Sequence, residues 1–168
     1  MMKLWDFAVD LYGAPGISEA CLGLQDRHGC DVNVLLFATW MGTVRRDKLS
    51  QSDMAEAIAS VLGWRDEIVR PLRAIRRRLK AGPPPAPGEL TGELRTRIKA
   101  VELESERIEL AQLEMFAGKR ASCSDDASEA SLENLMTAVR FFKSGELDAE
   151  AEQLIGAIQS AVAASMGA

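Results

Sequence analysis

The chain has 168 residues, 47% of them hydrophobic and 27% charged, and its formal net charge is −5 at pH 7. This composition is ordinary for a folded globular protein, which excludes wholesale disorder, and the length suits one domain with a substantial core. We therefore expect a single helical domain over residues 1–168, and its acidity disfavours nonspecific binding to nucleic acid.

The N-terminal pattern and the cysteines bear on location and on metal binding. Asp6 and Asp10 interrupt the first apolar stretch, which is not typical of a signal peptide. Cys21, Cys30 and Cys123 form no closely spaced pair, and this disfavours both a disulfide framework and a zinc site. We therefore expect a cytoplasmic protein that uses no metal and no cofactor.

Residues 1–81 are predicted to form the core helices. A first helix ends at Gly13, and a second runs from a cap at Ser18 to Gly29. The stretch that follows is apolar in nearly every direction around a helix axis, yet it is too short to span a membrane. The sequence therefore predicts a buried central helix at about 31–46 and no membrane span.

The turn before this central helix carries the densest polar cluster beside an apolar run. Polar groups next to a core are either hydrogen-bonded caps or parts of a functional site. Asp and Asn at helix starts are caps by default, so we favour a structural network and keep a small-ligand or metal-dependent site as the alternative. The cluster consists of Gln25, Asp26, Arg27, Asp31 and Asn33.

A basic amphipathic helix is predicted near the end of the core helices, either kinked at Pro71 or beginning there. One face carries apolar residues, and the opposite face carries cations. An acidic protein, nucleic acid or an anionic membrane surface could bind such a face. We favour pairing with the protein's own acidic helix, then an external protein, and the acidic chain disfavours nucleic acid. The apolar residues are Ile68, Leu72, Ile75 and Leu79, and the cations are Arg70, Arg73, Arg77 and Lys80.

A stiff Pro/Gly linker at 82–88 is the clearest boundary in the chain. It precedes a long acidic helix at 89–117, a mobile polar loop at 118–131 and C-terminal helices at 132–168. Apolar residues at steps of three and four predict a buried seam along the acidic helix, whose glutamates are expected to contact solvent or the basic helix. The seam consists of Leu94, Ile98, Val101, Ile108 and Met115.

No stretch of the sequence shows the alternation of a β-strand, so the predicted class is all-α. Short connections between the first helices force neighbouring helices to pack against each other. The expected architecture is a helical bundle around the buried central helix, with a long helical arm or hairpin after the Pro-rich linker.

Several short motifs in roughly the first 80 residues are similar to those of a known family. The most specific reads A-C-L-x-L-Q-D-x-x-G-x-D-V-N and spans residues 20–33, between a Trp-Asp-Phe motif near the N-terminus and a later Pro-Leu-Arg motif. The chain resembles an uncharacterised family of short all-helical proteobacterial proteins, a domain of unknown function. The resemblance implies a bacterial helical protein and brings no activity, cofactor or catalytic residue.

The sequence leans against an enzyme, because His28 is the only histidine and no Gly-rich phosphate loop is present. We expect a non-enzymatic protein that binds another protein, or a second copy of itself, through the basic helix, the acidic arm or both. One alternative is a small-ligand or metal-dependent site around residues 25–33. The other is nucleic-acid binding through the basic helix.

Overall fold

The computed structural model describes residues 1–120 and 125–166, and within these ranges it contains helices and turns without any strand. The predicted all-α class is therefore confirmed. In the same ranges, no helix is long and apolar enough to cross a membrane. The helices are α1 (Leu4–Tyr12), α2 (Ile17–His28), α3 (Val32–Thr43), α4 (Gln51–Trp64), α5 (Arg70–Ala81), α6 (Glu89–Gly118), α7 (Ala127–Lys143) and α8 (Ala149–Met166).

The centre of the core is α3, in which every residue from Asn33 to Thr43 is buried. A helix that is apolar all round must be surrounded by other helices, and here α1, α2, α6 and α7 pack against it. Asp31 caps its start, since Oδ1 accepts hydrogen bonds from the backbone N–H groups of Asn33 and Val34 at 2.8 and 3.4 Å. The predicted central helix is present and ends at Thr43, a little before the predicted end.

The closest approach in the core is between α3 and α7. A Cβ added at Gly42 would lie only 2.1 Å from the backbone nitrogen of Ser131, so glycine is needed there for the two helices to touch. Asn134, buried on α7, accepts a hydrogen bond from Leu49 N at 2.7 Å and donates to Asp47 O at 2.9 Å. These bonds tie the loop after α3 to α7.

Two predicted helix starts are wrong, each for a local reason. The second helix begins at Ile17, so Ser18 lies inside it and is not its cap; the residue before the helix is Gly16, which has a left-handed conformation and no side chain to cap with. The helix α7 begins at Ala127, inside the stretch predicted as loop, because Asp126 accepts hydrogen bonds from two N–H groups of the first turn. Residues 121–124, including Cys123, lie outside the described residues.

The helical segment does not break at Pro71, and a turn of π-helix lies directly before α5. The residues Arg65–Val69 form this turn, in which Arg70 N donates to Arg65 O, five residues back. Pro71 is then the second residue of α5, where its missing N–H costs little. Segment 82–88 follows, and α6 returns alongside α5 to form an antiparallel hairpin.

The seam predicted to be buried along α6 faces solvent instead. Its members Leu94, Val101 and Ile108 are 43%, 54% and 47% exposed. The apolar face predicted for α5 is not buried either, since this helix has no buried residue. The buried side of α6 is partly polar and consists of Glu102, Ser105, Glu109, Leu110, Leu113 and Ala117.

Replacing Gly42 by alanine is expected to lower the free energy of unfolding by about 3 kcal/mol, because overpacking a dense core costs that order of energy. The added methyl group would overlap the Ser131 backbone, which cannot retreat without separating α3 from α7. Urea unfolding followed by circular dichroism measures the effect.

Gly63→Ala in α4 is the matched control, because a Cβ at this position meets nothing within 4 Å. Alanine there should raise the free energy of unfolding by up to about 1 kcal/mol, the difference in helix propensity. Equal unfolding energies for Gly42→Ala and the unsubstituted protein would contradict the close contact between α3 and α7.

Candidate ligand-binding cleft

The basic helix α5 pairs with the protein's own acidic helix α6. The Nε of Arg73 donates to Glu102 Oε1 at 3.1 Å, and its Nη2 donates to Glu106 Oε1 at 2.5 Å. Arg76 donates to both oxygens of Glu102. Each of these arginines therefore has a charged partner within its own chain.

The remaining basic residues predicted to bind a partner are more exposed. Arg70 makes an ion pair with Asp66 at 3.1 Å, one turn earlier in the same segment. The Nη2 of Arg77 is 3.9 Å from a carboxylate oxygen of Asp26, which is too long for a hydrogen bond. Lys80 is exposed near the end of α5. With Arg73 turned towards α6, the four predicted cations do not share one solvent-facing surface.

Two members of the polar turn cluster contact the hairpin. Gln25 accepts a hydrogen bond from Arg73 Nη1 at 2.6 Å. The side chain of Asn33, itself buried, donates to Glu109 Oε2 at 2.9 Å. These two bonds join the end of α2 to α5 and the start of α3 to α6, so both elements beside the turn contact the hairpin.

Asp31 and Arg65 form a second polar contact below this turn. Their closest atoms, Oδ2 and Nε, are 3.8 Å apart, and both side chains are 11% exposed. A small cavity of about 60 Å³ lies beside them and is also lined by Gln25 and Arg73. Arg65 reaches this position from the π-helical turn, and such turns are frequent at functional sites.

The last two members of the predicted cluster lie on the surface. Arg27 pairs with Glu150 of α8, and both side chains are about half exposed. Asp26 is also exposed, next to Arg77. The structure therefore divides the predicted cluster into an inward group, made of Gln25, Asp31 and Asn33, and an outward pair.

Glu109 is a buried carboxyl group that is only partly satisfied by hydrogen bonds. Its Oε1 is buried and accepts no hydrogen bond from the described residues. Burial, with a smaller effect of the neighbouring Asp31, raises the pKa of Glu109 from 4.5 to about 8. Burial also raises the pKa of Asp31, against the opposing effects of Arg65 and of two backbone hydrogen bonds. The pKa values of both carboxyl groups are therefore raised, and that of Glu109 lies above neutral pH.

A cleft of about 550 Å³ opens between α1, α2, the start of α3 and the hairpin. Its volume is in the range of small-molecule sites. The apolar wall includes Trp5, Tyr12, Leu22 and Leu103. The charged wall has four cations against two carboxylates, so it attracts a negatively charged group. These charged residues are Arg73, Arg76, Arg77, Lys99, Glu102 and Glu106.

The described residues contain no group of three or more His, Cys, Asp and Glu side chains placed to hold a metal ion. Burial raises the pKa values of Cys21 and Cys30 to about 12, so both thiols stay protonated at neutral pH. A protonated thiol is a weak nucleophile. The arrangement therefore suits noncovalent binding.

The glutamates of α6 were expected to contact solvent or α5, and Glu102 and Glu106 do contact α5, whereas the burial of Glu109 against the start of α3 was missed. Glu102 and Glu109 are only 5% and 1% exposed. Glu102, Glu106 and Glu109 follow i, i+4, i+7 spacing, and this places them on one face of a helix. That spacing is the signal that could have identified them, but nothing local shows that this face is the inner one.

A family model matches residues 3–113, and its description is "Protein of unknown function (DUF2390)". The match confirms the resemblance to an uncharacterised family of short helical proteins and extends it from roughly residue 80 into α6. All residues that line the cleft fall within the matched range. No curated protein and no solved structure matches the chain.

Replacing Glu109 by glutamine is expected to flatten the pH dependence of stability. Because the folded pKa is raised from 4.5 to about 8, the folded protein holds a proton that the unfolded chain releases above pH 4.5. Stability then falls as the pH rises through this range, by up to about 1.4 kcal/mol per pH unit. Glu109→Gln removes this proton-linked change in stability and keeps an oxygen that accepts the hydrogen bond from Asn33. Urea unfolding at several pH values measures the slope.

Glu102→Gln on the same face is the control with the opposite sign. Although burial opposes it, the hydrogen bonds from Arg76 and Arg73 lower the pKa of Glu102, so its contribution is present above pH 4.5 and lost in acid. We expect this variant to lose about 2 kcal/mol at neutral pH, since it leaves two arginines without their carboxylate. Parallel pH profiles for Glu109→Gln and the unsubstituted protein would show that Glu109 carries no proton.

Proposed function

The chain belongs to the family described as "Protein of unknown function (DUF2390)", and we propose that it binds a small organic anion with an apolar part. The supporting observation is the cleft of about 550 Å³, which has an apolar wall facing a wall with more cations than carboxylates. A ligand that joins one anionic group to a hydrocarbon or aromatic part matches both walls.

The anionic group would bind at the rim of the cleft. Arg73 and Arg76 already donate to Glu102 and Glu106, so many of their N–H groups are used. Arg77 has only a distant ion pair at 3.9 Å, which leaves its guanidinium able to form two parallel hydrogen bonds to a carboxylate or phosphate. Lys99 lines the same cleft from α6 and adds a second positive charge.

The apolar part would cover side chains that are otherwise exposed. Val9, Leu22 and Leu103 are 52%, 40% and 54% exposed, and all three line the cleft. Covering apolar surface is favourable by about 25 cal/mol per Å². The ring of Trp5 is held from one side by the guanidinium of Arg107, whose carbon lies 5.6 Å from the ring centroid.

A second candidate function is docking of another protein, which we expected at the basic helix or the acidic arm. Arg73 and Arg76 already pair with the chain's own glutamates, and this disfavours binding of an acidic protein or of nucleic acid by the basic helix. The exposed apolar residues of α6 favour the arm instead. We propose a binding role over a catalytic one, because both described cysteines are buried and protonated.

A thermal-shift screen tests ligand binding to the cleft. The panel contains carboxylates and phosphate esters with and without hydrocarbon or aromatic parts. Compounds that combine the two features should raise the melting temperature in proportion to their affinity. Arg77→Gln should then weaken binding of the best compound about tenfold or more in isothermal titration calorimetry, as expected for loss of a charged hydrogen bond.

Arg78→Gln is the matched control, because Arg78 neighbours Arg77 on α5, is exposed and does not line the cleft. It removes the same charge from the protein and should leave the affinity unchanged within about twofold, apart from weak long-range screening. Equal losses in the two variants would indicate a general charge effect. That result, or a panel in which no compound stabilises the protein, would count against the proposed site.

A further inference from the structure

The side of the α5–α6 hairpin that faces away from the cleft carries exposed apolar residues at seven-residue intervals. On α6 they are 43% to 63% exposed, one in the π-helical turn before α5 is 38% exposed, and one on α5 is 47% exposed. A seven-residue repeat of apolar residues along a helix is the pattern of a helix-packing seam. We call this set the outer strip, and it consists of Ile68, Ile75, Leu94, Val101, Ile108 and Met115.

Helix geometry places both parts of the outer strip on the same side of the hairpin. Arg76 and Glu102 face each other, and Ile75 and Val101 each come one residue earlier, so both are rotated by about 100° in the same sense. In an antiparallel pair of helices, equal rotations from the facing positions point to the same side. Leu103, one residue after Glu102, is rotated the other way and lines the cleft.

The outer strip is long enough to form an interface. Leu94 and Met115 are 21 residues apart, which corresponds to about 30 Å along a helix. Exposed apolar residues that line up along one side of a hairpin are a candidate interaction site.

We propose that the outer strip packs against the outer strip of a second copy of this chain, with the two α6 helices antiparallel about a two-fold axis near Val101. Leu94 and Ile108 lie seven residues before and after Val101, so the axis places each of them opposite the other in the second copy. Ile75 is level with Val101 and lies near its own counterpart. The centre of the contact is then apolar, and Met115 lies beyond it, because its counterpart at position 87 precedes the start of α6.

Charged residues beside the outer strip favour a second copy whose α6 runs antiparallel. Arg97 comes four residues before Val101, and Glu104 comes three residues after it. The two-fold axis therefore brings Arg97 of each copy to Glu104 of the other, whereas a parallel arrangement would bring like charges together. Both side chains are available, since they are 74% and 62% exposed and their own-chain ion pairs are long, at 3.8 and 3.7 Å.

Sedimentation equilibrium of the full chain tests the proposal. The unsubstituted protein should have twice the 18.3 kDa mass of one chain, and Val101→Glu should be monomeric. Leu103→Glu is the matched control, since Leu103 is equally exposed, at 54%, but lies on the cleft side. It should remain dimeric. Should Val101→Glu lose helical circular dichroism, Ile108→Glu replaces it.

A charge exchange tests the orientation. Arg97→Glu or Glu104→Arg alone should raise the dimer dissociation constant about tenfold, because the two-fold axis repeats each lost pair. The double variant R97E/E104R should restore the original constant. A monomer at all concentrations, as expected if a different protein covers the strip, would overturn the proposal. So would a dimer unaffected by Val101→Glu, or single charge reversals that the double variant does not rescue.

Discussion

The structure depends on the burial of two carboxyl groups, Glu102 and Glu109, on the inner face of α6. Removing a carboxylate from water costs several kcal/mol unless the group is paired or protonated. The protein uses both solutions. Glu102 accepts hydrogen bonds from Arg73 and Arg76, whereas Glu109 accepts one from Asn33 and holds a proton. The arginines that pair with Glu102 lie on α5, and the amide that donates to Glu109 lies at the start of α3, so the two carboxyl groups constrain the positions of both elements.

This constraint explains why two arginines of α5 face α6. The helix has no fully buried residue, and its half-buried side combines Leu72 and Leu79 with Arg73 and Arg76. The ion pairs of Arg73 and Arg76 contribute to its rotation, which leaves Ile75 outside. The hairpin consequently has two different exposed sides, a cationic one that lines the cleft and an apolar one that carries the outer strip.

Sequence patterns within a single helix predicted the features that depend only on that helix, namely its burial and its cap. The all-round apolar helix after Asp31 had to be buried, and an aspartate at that position had to cap it, so the centre of the bundle could be predicted. The rotation of α6 could not be predicted in this way. Both its apolar seam and its glutamate face follow helical spacing, and the usual rule places the apolar face inside. In this protein Glu102 pairs with Arg73 and Arg76, which are distant in the sequence, and the glutamate face therefore lies inside while the apolar seam is exposed.

The polar turn at residues 25–33, for which a structural network and a binding site were the alternatives, contacts both the hairpin and the cleft. Gln25 accepts from Arg73, which also donates to Glu102 and lines the cleft, so one hydrogen-bonded chain joins the turn to the cleft. The network that holds the hairpin in place is therefore also part of the charged wall of the cleft.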